Sequence, residues 1–268
     1  METTAVIERI ERAAPLGAAA PWDRSGVQIA GRKADVHKLA LTLDPLPHIL
    51  GSALDWGADM VLTHHPLSLE PRYLDKVDAH YEATALMLTR EAWLYAAHTS
   101  LDANPDGPAG WLFRELGVHA AQVLEPCERD PRLGIGQVGV LPKPVTLAAL
   151  LDRLAGLVRR RVWNLSGPVL DSGRMISRLA CCPGSGGSLM ELAAEAGAEL
   201  YITGDLRFHA AQEAPLPVLD VGHFALEEEM MRRLAQTLAQ DGSLPGVEVR
   251  FLPGEDPQRP HLVPEAAS

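Results

Sequence analysis

The sequence predicts an α/β protein made of two similar units that arose by internal duplication. Buried strand-like runs alternate with helical stretches, which is the pattern of a parallel α/β sheet. Windows in the first half of the chain align with windows in the second half. With 268 residues, of which 47% are apolar, the chain can form two units of ordinary size with a sizeable core.

The first half shows the alternation most clearly. Residues 3–13 have the apolar spacing of a helix, and PLGAAAPWDRSG (15–26) reads as a loop. The chain then predicts strand, helix, strand, helix and strand over residues 38–43, 46–56, 59–63, 79–91 and 92–97. Gly57 is placed to end the first of these helices.

The second half repeats this order after a Pro-, Cys- and charge-rich stretch, EPCERDPRLG (125–134). The predicted strands cover residues 135–141, 177–182, 199–203 and 218–221, with a helix at about 188–196. We therefore expect a first unit over residues 1–130 and a second over residues 131–268.

The repeat is visible residue by residue in two windows. GADMVLTHH (57–65) aligns with GAELYITGD (197–205), and LYAAHTSLD (94–102) aligns with LDVGHFALE (219–227). His98 then falls over His223, and Asp102 over Glu227. Each histidine precedes its acid by four residues, just after a buried strand.

Metal-binding side chains gather at the predicted strand ends, where parallel α/β sheets bind ligands. They are His64, His65, Asp102, His223 and Glu227. Three imidazoles and two carboxylates are too many for one catalytic zinc with an open position, but they suit two ions that share a carboxylate and a water. Successive side chains diverge in an extended chain, so we expect His64 and His65 to bind one ion each. A carboxylate has two oxygens, and Glu227 is the predicted bridge.

Other polar features allow more than one interpretation. His98 and His209 are candidate proton carriers, or partners that orient the ligands. The loop 183–188, PGSGGS, is either an anion-binding helix start or a tight structural turn. The basic run 159–161 predicts a solvated face or a subunit contact.

Composition excludes several functional classes. A formal net charge of −11 and a pI near 5.3 argue against general nucleic-acid binding. Three cysteines, two of them adjacent, form no disulfide framework. The N-terminus lacks the pattern of a signal peptide, and no window has eighteen consecutive apolar residues. We therefore expect a cytoplasmic protein with no membrane association.

Five motifs resemble the Nif-three-like dinuclear metal proteins, often labelled type-two GTP cyclohydrolase I homologues. They are PWDRSGVQIAG (21–31), GADMVLTHHPL (57–67), AAHTSLDANPDG (96–107), GSGGSLMELAAEAGAELYITGDLRFH (184–209) and GHFALEEEM (222–230). The resemblance implies two intertwined α/β/α units and a ring-shaped homohexamer whose metal sites face an internal cavity. It also implies zinc, iron or manganese, held by the same five side chains as above.

Two functions follow as hypotheses. The first is a hydrolase with two divalent ions per chain, acting on a nucleotide, with GTP ring-opening as its specific version. The second is a non-catalytic metal-binding scaffold or regulatory partner.

The sequence departs from the family pattern at WDRSG (22–26) and AHTSLD (97–102), which leaves the five ligands intact but alters the residues beside them.

Overall fold

The computed structural model describes residues 1–261, which form two β-sheets with helices between and outside them. The helices are α1 (Thr3–Ala13), α2 (Pro47–Trp56), α3 (Ala79–Thr89), α4 (Thr99–Asp102), α5 (Trp111–Leu116), α6 (Leu147–Val158), α7 (Met190–Glu195), α8 (Phe208–Gln212) and α9 (His223–Gln240). The strands are β1 (Gly26–Ile29), β2 (Lys38–Thr42), β3 (Met60–Thr63), β4 (Trp93–Ala96), β5 (His119–Pro126), β6 (Gly134–Thr146), β7 (Asn164–Ser166), β8 (Met175–Ser185), β9 (Leu200–Gly204), β10 (Val218–Asp220) and β11 (Glu248–Phe251). The predicted alternation is confirmed, with element ends shifted by a few residues and β6 and β8 longer than expected.

The first sheet has the strand order β1-β4-β3-β2-β11. Its strands β2, β3, β4 and β11 run parallel, and β1 pairs antiparallel with β4 at the edge. Helices α2 and α3 make the crossovers between the parallel strands, as the βαβ pattern requires. The carboxyl ends of β2, β3 and β4 therefore meet at one edge of this sheet.

The second sheet has the order β5-β6-β8-β9-β10-β7. Strands β8, β9 and β10 are parallel and repeat the arrangement of β2, β3 and β4. The outer strands β5, β6 and β7 pair antiparallel, so the expected parallel sheet holds only for the central strands. Both central sets present their carboxyl ends to the same region of the molecule, where the predicted metal ligands lie.

Alternate residues of the central strands face two different cores, because side chains in a strand point to opposite sides. Leu41 faces a core between the sheets, whereas Ala40 faces α2 and α3. In the second sheet Leu179 faces the shared core, and Ala180 faces α7. Leu41 is fully buried, and truncation to alanine is expected to cost about 2–5 kcal/mol of unfolding free energy.

The two units are intertwined through the shared middle layer. Helix α9 packs against strands of both sheets, and α1 and α6 contribute to the same core. Strand β11, from the C-terminal half, pairs with β2, while β5 (His119–Pro126) pairs with β6 of the second sheet. The sheets thus exchange strands across residue 130, and the division into 1–130 and 131–268 stays a sequence-based prediction.

Within residues 1–261, no helix combines the length and the apolar content needed to cross a lipid bilayer.

Candidate metal centre

The strand ends of both sheets bring the five predicted ligands together. His64 and His65 follow β3, where the Thr63 hydroxyl donates to the His65 carbonyl at 2.8 Å and holds the turn. Asp102 is the last residue of the short helix α4, which follows β4. His223 begins α9 after β10, and Glu227 lies one turn further along the same helix.

Glu227 is the centre of the cluster. Its Oε2 lies 2.7 Å from His223 Nε2 and 3.1 Å from His65 Nε2. Its Oε1 lies 3.4 Å from His64 Nε2, and Asp102 Oδ1 approaches that same nitrogen at 3.8 Å. One carboxylate therefore lies within 3.4 Å of all three imidazoles.

Each of the three imidazoles donates a hydrogen bond from Nδ1 to an acceptor of the protein. His64 Nδ1 donates to the carbonyl of Ala97 at 2.8 Å. His65 Nδ1 donates to Asp44 at 2.7 Å, and His223 Nδ1 donates to Asp205 at 2.8 Å. An acceptor at Nδ1 fixes the proton there and leaves Nε2 as the free nitrogen, which is the usual arrangement of histidines that bind metal.

The atoms that face the cluster fit a metal because they are buried without hydrogen bonds. His64 Nε2, His223 Nε2, Asp102 Oδ1 and Glu227 Oε2 have no hydrogen-bond partner among the described residues. Unsatisfied buried polar atoms are costly, and lone pairs that converge on one space are what a cation would satisfy.

The electrostatics of the cluster are strongly coupled. Burial lowers the pKa of His65, but the carboxylates of Asp44 and Glu227 outweigh it and raise the pKa to about 10. The same balance, with Glu227 and Asp205, raises the pKa of His223 to about 9. Burial raises the pKa of Asp102 to about 6 against the opposing charge of His64. The metal-free cluster therefore holds protons that a cation would displace.

The ligand atoms form three groups of three, each within 4.8 Å. One group is His64, Asp102 and Glu227, and a second is His65, His223 and Glu227. The third is His64, His65 and His98. The two groups that contain Glu227 separate His64 from His65, whereas the third group places both of them beside His98.

The two predicted proton carriers lie in different places. His98 Nδ1 donates to Asp23 at 2.7 Å, and its ring centroid lies 5.2 Å from that of His64. His209 is exposed on α8, next to Phe208, and belongs to none of the groups formed by residues 1–261. Only His98 is therefore beside the cluster.

The glycine-rich stretch 183–188, which covers the end of β8 and the turn after it, packs against Glu227. Thr203 Oγ1 accepts from Gly186 N at 2.9 Å, and the Tyr201 hydroxyl donates to the Gly186 carbonyl at 2.7 Å. Gly184 has φ of +69°, and a Cβ there would overlap Glu227 Oε1. A residue without a side chain is needed at Gly184 so that the backbone can approach the carboxylate.

The cluster is open to solvent beside His65 and His223. His65 and His223 are 25% and 26% exposed, whereas Glu227 is 4% exposed and His64 is fully buried. The two exposed imidazoles line a cavity of about 200 Å³, together with Arg160 from the segment after α6. A small molecule could approach the centre from this side.

Fold and site together define a duplicated α/β protein with a candidate metal centre between its two sheets. The chain belongs to the Duf34/NIF3 (NGG1p interacting factor 3) family, whose model matches residues 1–257. The resemblance seen in the five sequence motifs is thereby confirmed.

Known proteins resemble the chain over most of its length. A GTP cyclohydrolase 1 type 2 homolog from Clostridium perfringens is 27% identical over 244 residues, covering 90% of this chain and 92% of that protein. Its namesake from Nostoc sp. is 32% identical over 208 residues, covering 75% and 77%. Reduced HcgD from Methanocaldococcus jannaschii has a TM-score of 0.80 and 25% identity, covering 94% of this chain and 98% of that one.

The carboxylates that hold the histidines were not among the residues predicted from the sequence. They are Asp23, Asp44 and Asp205. Two signals could have found them. Asp44 lies two residues past the end of β2, Asp205 directly follows β9, and Asp205 aligns with His65 in the internal repeat. Asp23 lies in the loop of the PWDRSG motif, and its pairing with His98 across 75 residues has no local signature.

Proposed function

We propose that this protein is a metal-dependent hydrolase that holds two divalent ions and acts on a small nucleotide. The observation that carries the proposal is the opening of the cluster beside His65 and His223. Its buried side consists of His64, Asp102 and Glu227, and its open side, His65 and His223, faces a cavity of about 200 Å³. A site that only holds metal for structure is closed by its ligands, whereas a catalytic site keeps a position open.

The ligand groups support two ions that share Glu227. His64 groups with Asp102 and Glu227, and His65 groups with His223 and Glu227. Nitrogen and oxygen donors in this mixture favour zinc, iron or manganese over calcium, which prefers oxygen alone. Two such ions, when bound, would lower the pKa of a shared water from about 15.7 towards 7.

His98 is the proton carrier in this proposal. Burial raises the pKa of Asp23, but hydrogen bonds from His98, Ser25 and Thr99 outweigh it and hold the pKa below its ordinary value. Asp23 therefore stays ionised and keeps the proton of His98 on Nδ1, so Nε2 is the atom that takes up a proton from water. The exposed His209 has no comparable partner among residues 1–261.

The shape of the open side fits a substrate larger than the cavity itself. About 200 Å³ is below the roughly 300–1,000 Å³ of sites that enclose a whole small molecule. A groove of about 570 Å³ shares Arg160, Phe224, Asp256 and Gln258 with the cavity. The reacting part would enter the cavity and the remainder would lie in the groove, in keeping with the GTP cyclohydrolase name of the relatives.

The test compares two histidine variants in metal-loaded protein. His98→Gln should lower hydrolysis of GTP or a related nucleotide by about 10²–10⁴-fold, because a positioned base contributes that much. It should keep its metal content. His209→Gln is the matched control, since it removes an exposed imidazole, and it should retain full activity. Unchanged activity in His98→Gln would contradict the role of His98.

Chelation separates the hydrolase from the scaffold. Activity should vanish with a chelator and return when zinc, iron or manganese is added back. If fully loaded protein turns over none of a panel of nucleotides and phosphoesters, the hydrolase is wrong, and the metal-binding scaffold takes its place.

A cytoplasmic, ring-shaped homohexamer is also part of the proposal. Four large apolar side chains are exposed close together in sequence: Leu69, Tyr73, Leu74 and Val77. Exposed apolar groups of this kind are typical of subunit contacts. Light scattering should give six times the chain mass of 28.9 kDa, and a monomer at micromolar concentration would refute the assembly.

A further inference from the structure

Arg160 differs from the two arginines beside it. Its side chain is 20% exposed, whereas Arg159 and Arg161 are exposed. Arg159 takes a left-handed conformation at the end of α6, with φ of +54°, and the chain turns there. Arg160 then lines both the cavity beside the metal centre and the adjoining groove.

The guanidinium of Arg160 lies against the backbone next to a predicted metal ligand. A Cβ at Gly222 would overlap Arg160 Nη1, so this contact depends on a residue without a side chain. Gly222 has φ of +94°, a conformation that favours glycine, and immediately precedes His223. The positive charge is therefore held at the entrance to the centre.

The guanidinium has unused hydrogen-bonding capacity. In the described part of the chain its hydrogen bonds are limited to a 3.3 Å contact from Nη1 to Asp256 Oδ2. Its Nε is buried without a partner among those same residues. Arginine carries five N–H donors in a planar fork, which matches the two oxygens of a phosphate or carboxylate.

The other charges around the cavity are already engaged. Asp44 accepts from His65, and Asp205 accepts from His223, so each is tied to an imidazole. Asp256 is left as the carboxylate that faces Arg160. Arginine and lysine side chains line the cavity at one position only, Arg160, as far as the described residues go.

We propose that Arg160 binds an oxyanion of the substrate, a phosphate or a carboxylate, at the junction of cavity and groove. Asp256 occupies one donor of the guanidinium in the free protein and gives way to the incoming anion. This inference deepens the proposed function and rests on it for the place of the reacting bond. It names the substrate class: a small anionic molecule whose charged group lies beside the metal centre.

The experiment measures binding of inorganic phosphate to metal-loaded protein by calorimetry. Arg160→Gln should weaken phosphate binding by at least about 10-fold, because hydrogen bonds to a charged group are the stronger kind. Its metal content, measured in the same samples, should equal that of the wild type. Arg161→Gln is the matched control, since it makes the same charge change at an exposed neighbour, and binding should stay within about twofold.

A second variant tests the role of Asp256. Asp256→Asn removes the competing carboxylate and should tighten phosphate binding, whereas weakening as large as in Arg160→Gln would overturn the proposal. Affinities for both phosphate and acetate that are equal in wild type and Arg160→Gln, or an equal loss in Arg161→Gln, would overturn it as well. Acetate in place of phosphate shows which oxyanion is preferred, and a dependence of either on Arg160 supports the proposal.

The two proposals fail in different ways. If Arg160→Gln leaves oxyanion binding unchanged while metal-dependent hydrolysis is intact, only the oxyanion site is refuted. Intact phosphate binding without any hydrolysis would remove only the hydrolase.

Discussion

The two halves of the molecule place a histidine and an acid at equivalent positions, and the two acids differ in how many imidazoles they approach. His98 and His223 both follow a central strand, and each Nδ1 donates to a carboxylate, at 2.7 Å and 2.8 Å. Four residues on, Asp102 approaches His64 at 3.8 Å. Glu227, one methylene longer, lies within 3.4 Å of three imidazoles.

This difference shows how a duplicated unit yields an asymmetric site. The second half supplies a carboxylate long enough to serve both ligand groups, together with a histidine that belongs to one of them. The first half supplies a shorter acid, and its histidine stands beside the cluster with Asp23 behind it. In the proposed function, the same position holds a ligand in one half and a proton carrier in the other.

The largest effect is expected where the backbone supports Glu227. Gly184→Ala would place a Cβ on Glu227 Oε1 at a positive φ, so it should displace the carboxylate and weaken metal binding by more than about 100-fold. Gly187→Ala is the control in the same loop, because its Cβ would lie 3.5 Å from Leu206 in an ordinary contact. Metal titration of both folded variants checks this. Equal metal affinity in the two variants would contradict the claim that the backbone at Gly184 fixes the position of the Glu227 carboxylate.

The carboxylates behind the two equivalent histidines should separate their roles. Asp205→Asn replaces the carboxylate that orients His223 with a neutral amide and should lower metal affinity by about 10–100-fold. Asp23→Asn makes the same change behind His98 and should lower hydrolysis while the metal content stays as in the wild type. If Asp23→Asn loses as much metal as Asp205→Asn, His98 is a ligand and the comparison fails.

Much of this site follows from local sequence, and its outer parts do not. His64, His65 and Glu227 could be found because they lie just past buried strands in a repeated pattern. Asp23 could not, because it meets His98 through tertiary packing across 75 residues. Strand β11 likewise pairs with β2 across most of the chain, and its short sequence, EVRF, does not specify that partner.

Arg160 illustrates the same limit. The run 159–161 predicts a solvated face or a subunit contact, since sequence alone cannot tell which side chain turns inward. Two features of the fold distinguish Arg160 from its neighbours: the left-handed turn at Arg159, and the absence of a side chain at Gly222, which leaves room for the guanidinium.

The last perturbation is of pH rather than of sequence, and it concerns protons released on metal binding. In the metal-free protein the pKa of His65 is about 10 and that of His223 is about 9, so both imidazoles are protonated at pH 7. Neutral imidazole binds metal, so each of these two residues should release a proton, and apparent affinity should rise with pH between about 6 and 8. Calorimetry in buffers of different ionisation enthalpy measures the release. Affinity that is flat with pH would contradict the raised pKa values.

The most direct measurement is the number of ions retained per chain by three proteins after dialysis. If Glu227 serves both ligand groups and Asp102 serves one, the wild type should hold about two ions, Asp102→Asn about one, and Glu227→Gln fewer than either. Elemental analysis at matched protein concentration gives these values, with His209→Gln as the unaltered control. Equal ion content in Asp102→Asn and Glu227→Gln would contradict a shared carboxylate and the asymmetry of the two halves.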